Sequence, residues 1–125
     1  MSLLLKNPSV RVADPNYPLD PHILFALGVA AQAYSTLCKD CVITSAFDGH
    51  HNPGSLHLAG RAVDIRTLQL NPAERTEIFN TLKSLLTPLG FDVIWEAAGA
   101  TPATTAQHIH IEYDPNGRPF WKVAG

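Results

Sequence analysis

At 125 residues and 13.6 kDa, with 46% hydrophobic and 16% charged residues, the chain has the composition of a globular protein and not of a disordered segment. A formal net charge of −2, with no stripe of lysine or arginine to neutralise phosphates, excludes nucleic acid and anionic membrane as principal partners. No apolar run reaches the ~18 to 20 residues that cross a bilayer, so no membrane span is expected.

A chain of this size buries roughly two thirds of its unfolded surface, enough for one core, so residues 1–125 are expected to form a single domain, as a monomer. Residues 1–6 are too short for a signal peptide and lack its basic-then-apolar layout. Asp20-Pro21 opens a helix: aspartate caps free N–H groups, and proline suits the first turn. Ile23, Leu27, Ala30, Ala33, Tyr34 and Leu37 carry its apolar stripe to about residue 38. The β-branched run 41–44 reads as a strand, followed by a polar loop with Gly and Pro over 47–54. A second strand is expected over 61–66, and Asn71-Pro72-Ala73-Glu74 starts a second helix that ends near Gly90. Residues 91–95 read as a third strand and 97–105 as a loop or insertion. A fourth strand, 108–113, is closed by the turn Asp114-Pro115-Asn116-Gly117. This order predicts an α+β fold, a mainly antiparallel sheet with helices packed on one side.

Cys38 and Cys41 make a Cys-x-x-Cys pair, but it follows a helix, where the dipole does not favour a thiolate. No second cysteine pair exists to complete a zinc site, so both read as small structural residues.

The chemistry is carried by the histidines. Five of the six fall in two segments: His50, His51 and His57 before one strand, His108 and His110 within another. His22 stands apart and reads as a surface or helix-packing residue. His108 and His110 are two apart on a strand, so both rings share a face, which Glu112 continues. Burying such a set without partners is costly. Asp64, in the apolar run Ala62-Val63-Asp64-Ile65, is equally costly unless a cation neutralises it. His57 precedes it by seven residues, with Gly60 between them to let the chain turn. A divalent metal answers all of these. Nitrogen and oxygen donors without thiolate suit zinc with one position left for water. Spacing does not choose between His108 and His110 as the ligand.

Ser55-Leu56-His57-Leu58-Ala59-Gly60-Arg61-Ala62-Val63-Asp64 resembles the Ser-x-His-x-x-Gly-x-Ala-x-Asp signature of the zinc D-alanyl-D-alanine peptidases. His108-Ile109-His110 is similar to the His-x-His element of that wider group, which includes lysostaphin-type endopeptidases and the hedgehog signalling domain. The likeness to the hedgehog amino-terminal domain also takes in Asp48-Gly49-His50-His51 and Gly90-Phe91-Asp92, and spans residues 42 to 113. The resemblance implies a hedgehog/DD-peptidase-like fold with Zn2+ held by His57, Asp64 and His110, and water in the fourth position. It places His108 beside the metal, bonded to the oxyanion or water. His51 would polarise the substrate carbonyl, and Ser55 would contact substrate.

Two departures stand out. The peptidases place a catalytic carboxylate three residues before the last histidine ligand, where this chain has Gln107; hedgehog domains carry a glutamate slightly further upstream, where it has Thr104. The nearest carboxylate is Glu96, which is expected to carry the proton, with His108 as the substitute. The acidic cluster that binds calcium in hedgehog domains is reduced here to Asp48, preceded by Ser45, Ala46 and Phe47, so calcium is not expected. The resemblance implies hydrolysis of a bacterial cell-wall (peptidoglycan) peptide, in a cell-envelope or phage-lysis setting. Arg61, Arg66 or Arg118 would pair with a terminal carboxylate. The alternative is a zinc-bearing protein-binding module of the hedgehog type that has lost catalysis.

Overall fold

The computed structural model describes residues 3–6, 19–46, 61–96 and 107–113. Its elements are β1 (Leu3–Leu5), α1 (Pro21–Ser35), β2 (Cys41–Ser45), β3 (Ala62–Arg66), α2 (Pro72–Leu86), a 3₁₀ turn (Thr87–Leu89), β4 (Phe91–Glu96) and β5 (His108–Tyr113). The strands form one five-stranded sheet in the order β1-β2-β3-β5-β4. β1 runs parallel to β2, and every other pairing is antiparallel. This is the α+β architecture expected from the sequence.

Both helices start with the chemistry their sequences supply. Asp20 accepts from the His22 backbone N–H at 2.8 Å, with proline in the first turn of α1. At α2 the capping box is reciprocal: Glu74 N–H donates to Asn71 Oδ1 at 2.8 Å, and Asn71 N–H to Glu74 Oε1 at 2.9 Å. Pro88 removes a donor that an α-helix would need, so the chain tightens into the 3₁₀ turn and leaves it through Gly90 in a left-handed conformation (φ 95°). α1 ends at Ser35, earlier than its apolar stripe suggests. Three turn residues follow, and Cys38 adopts φ 55°.

The two helices cover one face of the sheet. Ile109, Ile111 and Tyr113 of β5, Val63 and Ile65 of β3, and Phe91 and Val93 of β4 join Ile23, Leu27, Tyr34, Ile78, Leu82 and Leu86 in one buried cluster. Each isoleucine so buried contributes roughly 1.5 to 3 kcal/mol. The strict alternation of β5, partly exposed then buried from His108 to Tyr113, leaves His108, His110 and Glu112 on the opposite, open face.

β1 is an element the sequence reading did not contain. Three leucines show no period, and they become a strand only because the edge of β2 pairs with them. Both cysteines are free thiols, Cys38 exposed and Cys41 buried. Desolvation pushes the Cys41 thiol up to about 12, which keeps it protonated and unreactive. His22 bonds Asp20 Oδ1 at 2.8 Å through its ring and stacks on Tyr113 with centroids 3.9 Å apart, a packing role as expected. No helix among the described residues is long and apolar enough to cross a membrane.

Candidate functional site

The open face gathers its polar side chains by register. β5 lies between β3 and β4, so each of its residues has a partner on either side. His110 is opposite Asp64 on β3 and Ile94 on β4; His108 is opposite Arg66 and Glu96; Glu112 is opposite Ala62 and Asp92. Directly paired residues share a face, which carries Asp64 and Glu96 to the two histidines. The register of β2 on β3 shifts between Ile43 and Ser45, bringing Ser45 opposite Asp64, and Thr44 Oγ1 donates to the Asp64 carbonyl at 3.4 Å. Such irregularities re-aim side chains beside sites. The end of β3 is tied to α1 by the Tyr34 hydroxyl, which donates to the Arg66 carbonyl at 2.7 Å.

The side chains converge closely. Asp64 Oδ1 lies 2.8 Å from His110 Nδ1 and 3.5 Å from His108 Nε2. Glu96 turns one oxygen to each ring, Oε2 at 3.5 Å from His108 Nε2 and Oε1 at 3.7 Å from His110 Nδ1. Glu112 stands on the other edge of the His110 ring, with Oε1 3.1 Å from Nε2. Asp64, in its apolar run, is 8% exposed, and the His108 and His110 side chains are 13% and 12% exposed.

No family model matches the chain. The likeness to the D-alanyl-D-alanine peptidases and hedgehog domains therefore stands on the motif residues themselves.

Of the residues expected from the sequence, Asp64, His108, His110 and Glu96 come together on one face. Arg61 does not join them. Its backbone carbonyl accepts from Tyr113 N–H at 2.8 Å and its guanidinium lies 5.8 Å from the Tyr113 ring centroid, so it belongs with the helix-facing residues. A substrate-binding Arg61 finds no support in this placement. Arg66, opposite His108, is the cation that the register puts beside the site. Gln107 is exposed, and its backbone carbonyl accepts from the Thr67 hydroxyl at 3.3 Å. His51, Ser55, His57 and Arg118 lie outside the described residues. Glu112 is the contact that sequence reasoning left without a role; its i+2 spacing from His110 was the available signal.

Among the described residues, no set of three or more His, Cys, Asp and Glu donors is arranged to hold a metal ion. Two expected donors, Asp64 Oδ1 and His110 Nδ1, are 2.8 Å apart. Neighbouring ligands of a tetrahedral zinc are about 3.3 Å apart, so a small opening of this pair suits the ion, and nitrogen with carboxylate oxygen is a donor set that zinc accepts. A third ligand would have to come from elsewhere in the chain.

Burial alone would lower the His110 pKa. Its hydrogen bonds to Asp64 and Glu112 outweigh that and push it up to about 9. Being raised above the unfolded value near 6.5, it contributes stability that is fully present below that pH and is lost as pH rises through about 9. The contribution is at most about 3 kcal/mol. In chelator-treated protein, ring NMR of His110 should titrate near 9, and the melting-temperature advantage over His110→Gln should shrink between pH 6.5 and 9. A midpoint at or below the ordinary value for histidine would show that the two carboxylates do not hold this ring.

Proposed function

We propose that this chain is a zinc-dependent peptidase of the D-alanyl-D-alanine peptidase and hedgehog-domain group. In this reading the metal is held by His57, Asp64 and His110, and the substrate is a bacterial cell-wall peptide. One observation carries the reading: on the sheet face opposite the helices, an aspartate from an apolar strand and a glutamate each bring an oxygen within 3.7 Å of a ring nitrogen of both histidines. A core has no use for that arrangement, and the motif residues 55–64 and 108–110 are the ones the resemblance assigns to the metal.

The bound ion would supply Lewis-acid polarisation of the scissile carbonyl and lower the pKa of water toward ~7. The remaining work falls to side chains. Glu96 accepts a proton from the attacking water as the C–O bond forms, and delivers it to the leaving amine as the C–N bond breaks. His108 Nε2, on the same side as Asp64 Oδ1, donates a hydrogen bond to the oxygen that gains charge, and His51 is assigned a similar part by the resemblance. Arg66, beside His108 in the register, would pair with a carboxylate on a substrate bound there.

The test is cleavage of purified muropeptides followed by mass spectrometry, in zinc-loaded protein and after chelation. Cleavage that chelation abolishes and zinc restores is the expected result. Zinc bound tightly with no cleavage would favour a protein-recognition module of the hedgehog type, in keeping with Gln107 at the usual carboxylate position. Absence of both zinc and cleavage would end the metal reading.

A further inference from the structure

We propose that Glu112 is a positioning residue that fixes the ring of His110 for metal binding through Nδ1. The inference rests on the reading of Asp64 and His110 as metal ligands. An imidazole can present either nitrogen to a cation, and the choice is set by what the other nitrogen bonds. Here the two edges of the ring are already distinguished. Nδ1 faces Asp64 Oδ1 at 2.8 Å and Glu96 Oε1 at 3.7 Å, while Nε2 faces Glu112 Oε1 at 3.1 Å. Without metal, Nδ1 shares its proton with Asp64; on zinc binding that proton leaves, and with Nε2–H still donated to Glu112 the Nδ1 lone pair faces the space between Asp64 and Glu96.

Strand geometry makes this contact durable. Residues two apart on a strand share a face, so Glu112 is carried alongside His110 by the backbone itself. The Glu112 side chain is 20% exposed, enclosed enough to hold one geometry. The bond to the histidine ring gives an acid at this position a role. A carboxylate behind a metal-bound imidazole makes the ring a better ligand, and its loss typically weakens metal affinity about 10- to 100-fold.

The experiment is titration of the full chain with zinc against a competing chelator, for wild type, Glu112→Ala and Glu112→Gln. It is paired with ring NMR of His110 in the zinc-loaded proteins. Glu112→Ala is expected to raise the zinc Kd about 10- to 100-fold and to lose the slowly exchanging Nε2–H signal. Glu112→Gln keeps an acceptor oxygen and is expected to restore both in large part. Circular dichroism and melting curves exclude a folding defect, and the glutamine variant carries the test if the alanine variant is unstable. An alanine variant with unchanged Kd and unchanged Nε2–H signal would overturn the proposal while leaving the metal site standing. A wild-type chain that binds no zinc would overturn the underlying metal reading, a separate and recognisable failure.

Discussion

Asp64→Ala is expected to weaken zinc binding by more than about 100-fold, because losing a ligand should cost more than losing the partner behind one, which itself costs up to about that much. The consequence for stability is readable without an activity assay. At a zinc concentration 100 times the wild-type Kd, ligation adds about 2.7 kcal/mol to the wild-type fold and only about 0.4 kcal/mol to a variant whose Kd is 100-fold weaker. Melting curves with and without zinc should therefore move for wild type and stay nearly still for the variant. In chelator the order is less one-sided. Asp64 accepts from His110 at 2.8 Å and lies 3.5 Å from His108, so its removal leaves two rings short of a partner. Glu112 and Glu96 remain close to those rings as alternative acceptors, which holds the metal-free cost to about 1 to 3 kcal/mol. Asp64→Asn keeps the shape and an acceptor oxygen and should lose zinc affinity with a smaller metal-free penalty. Equal stabilisation of wild type and variant by zinc would remove Asp64 from the ligand set.

The features legible in the sequence are those that depend on period alone. Alternation along 108–113 assigns His108, His110 and Glu112 to one face regardless of what surrounds the strand, and an aspartate between Val63 and Ile65 is conspicuous in any context. The same parity separates Arg61 from Asp64, since residues three apart on a strand point to opposite faces. What could not be read is what depends on register and order. That β5 lies between β3 and β4 is a property of the whole sheet. β1 exists through its pairing with β2 and has no local signature. The position of Glu96 opposite His108 depends on how the chain returns between β4 and β5. A one-residue slip there would send Glu96 to the helix-facing side, and nothing in the composition of 97–106 fixes the count.

That register is why Glu96→Gln carries the largest expected effect on turnover. Three carboxylates surround the two rings, and the proposed mechanism gives them different work. Asp64 is closest to His110 Nδ1, at hydrogen-bond distance, and the pair has only to open slightly to share an ion. Glu112 sits on the Nε2 edge, away from the point where Asp64 and Nδ1 meet. Glu96 spans both rings from 3.5 and 3.7 Å without a tight bond to either, close enough to share a water with them. Gln107, at the position where the peptidases this chain resembles keep their carboxylate, is exposed and has no proton to exchange. A positioned general base contributes about 10²- to 10⁴-fold. Glu96→Gln is therefore expected to lower kcat for muropeptide cleavage by about that factor. Zinc affinity should stay within a few-fold of wild type, because the glutamine keeps nearly the same shape and is not a ligand. The pair of readouts separates a proton carrier from a structural side chain, which would move stability or metal binding instead. Unchanged kcat in the glutamine variant would hand the proton to His108, and His108→Ala would then be the variant to show the loss.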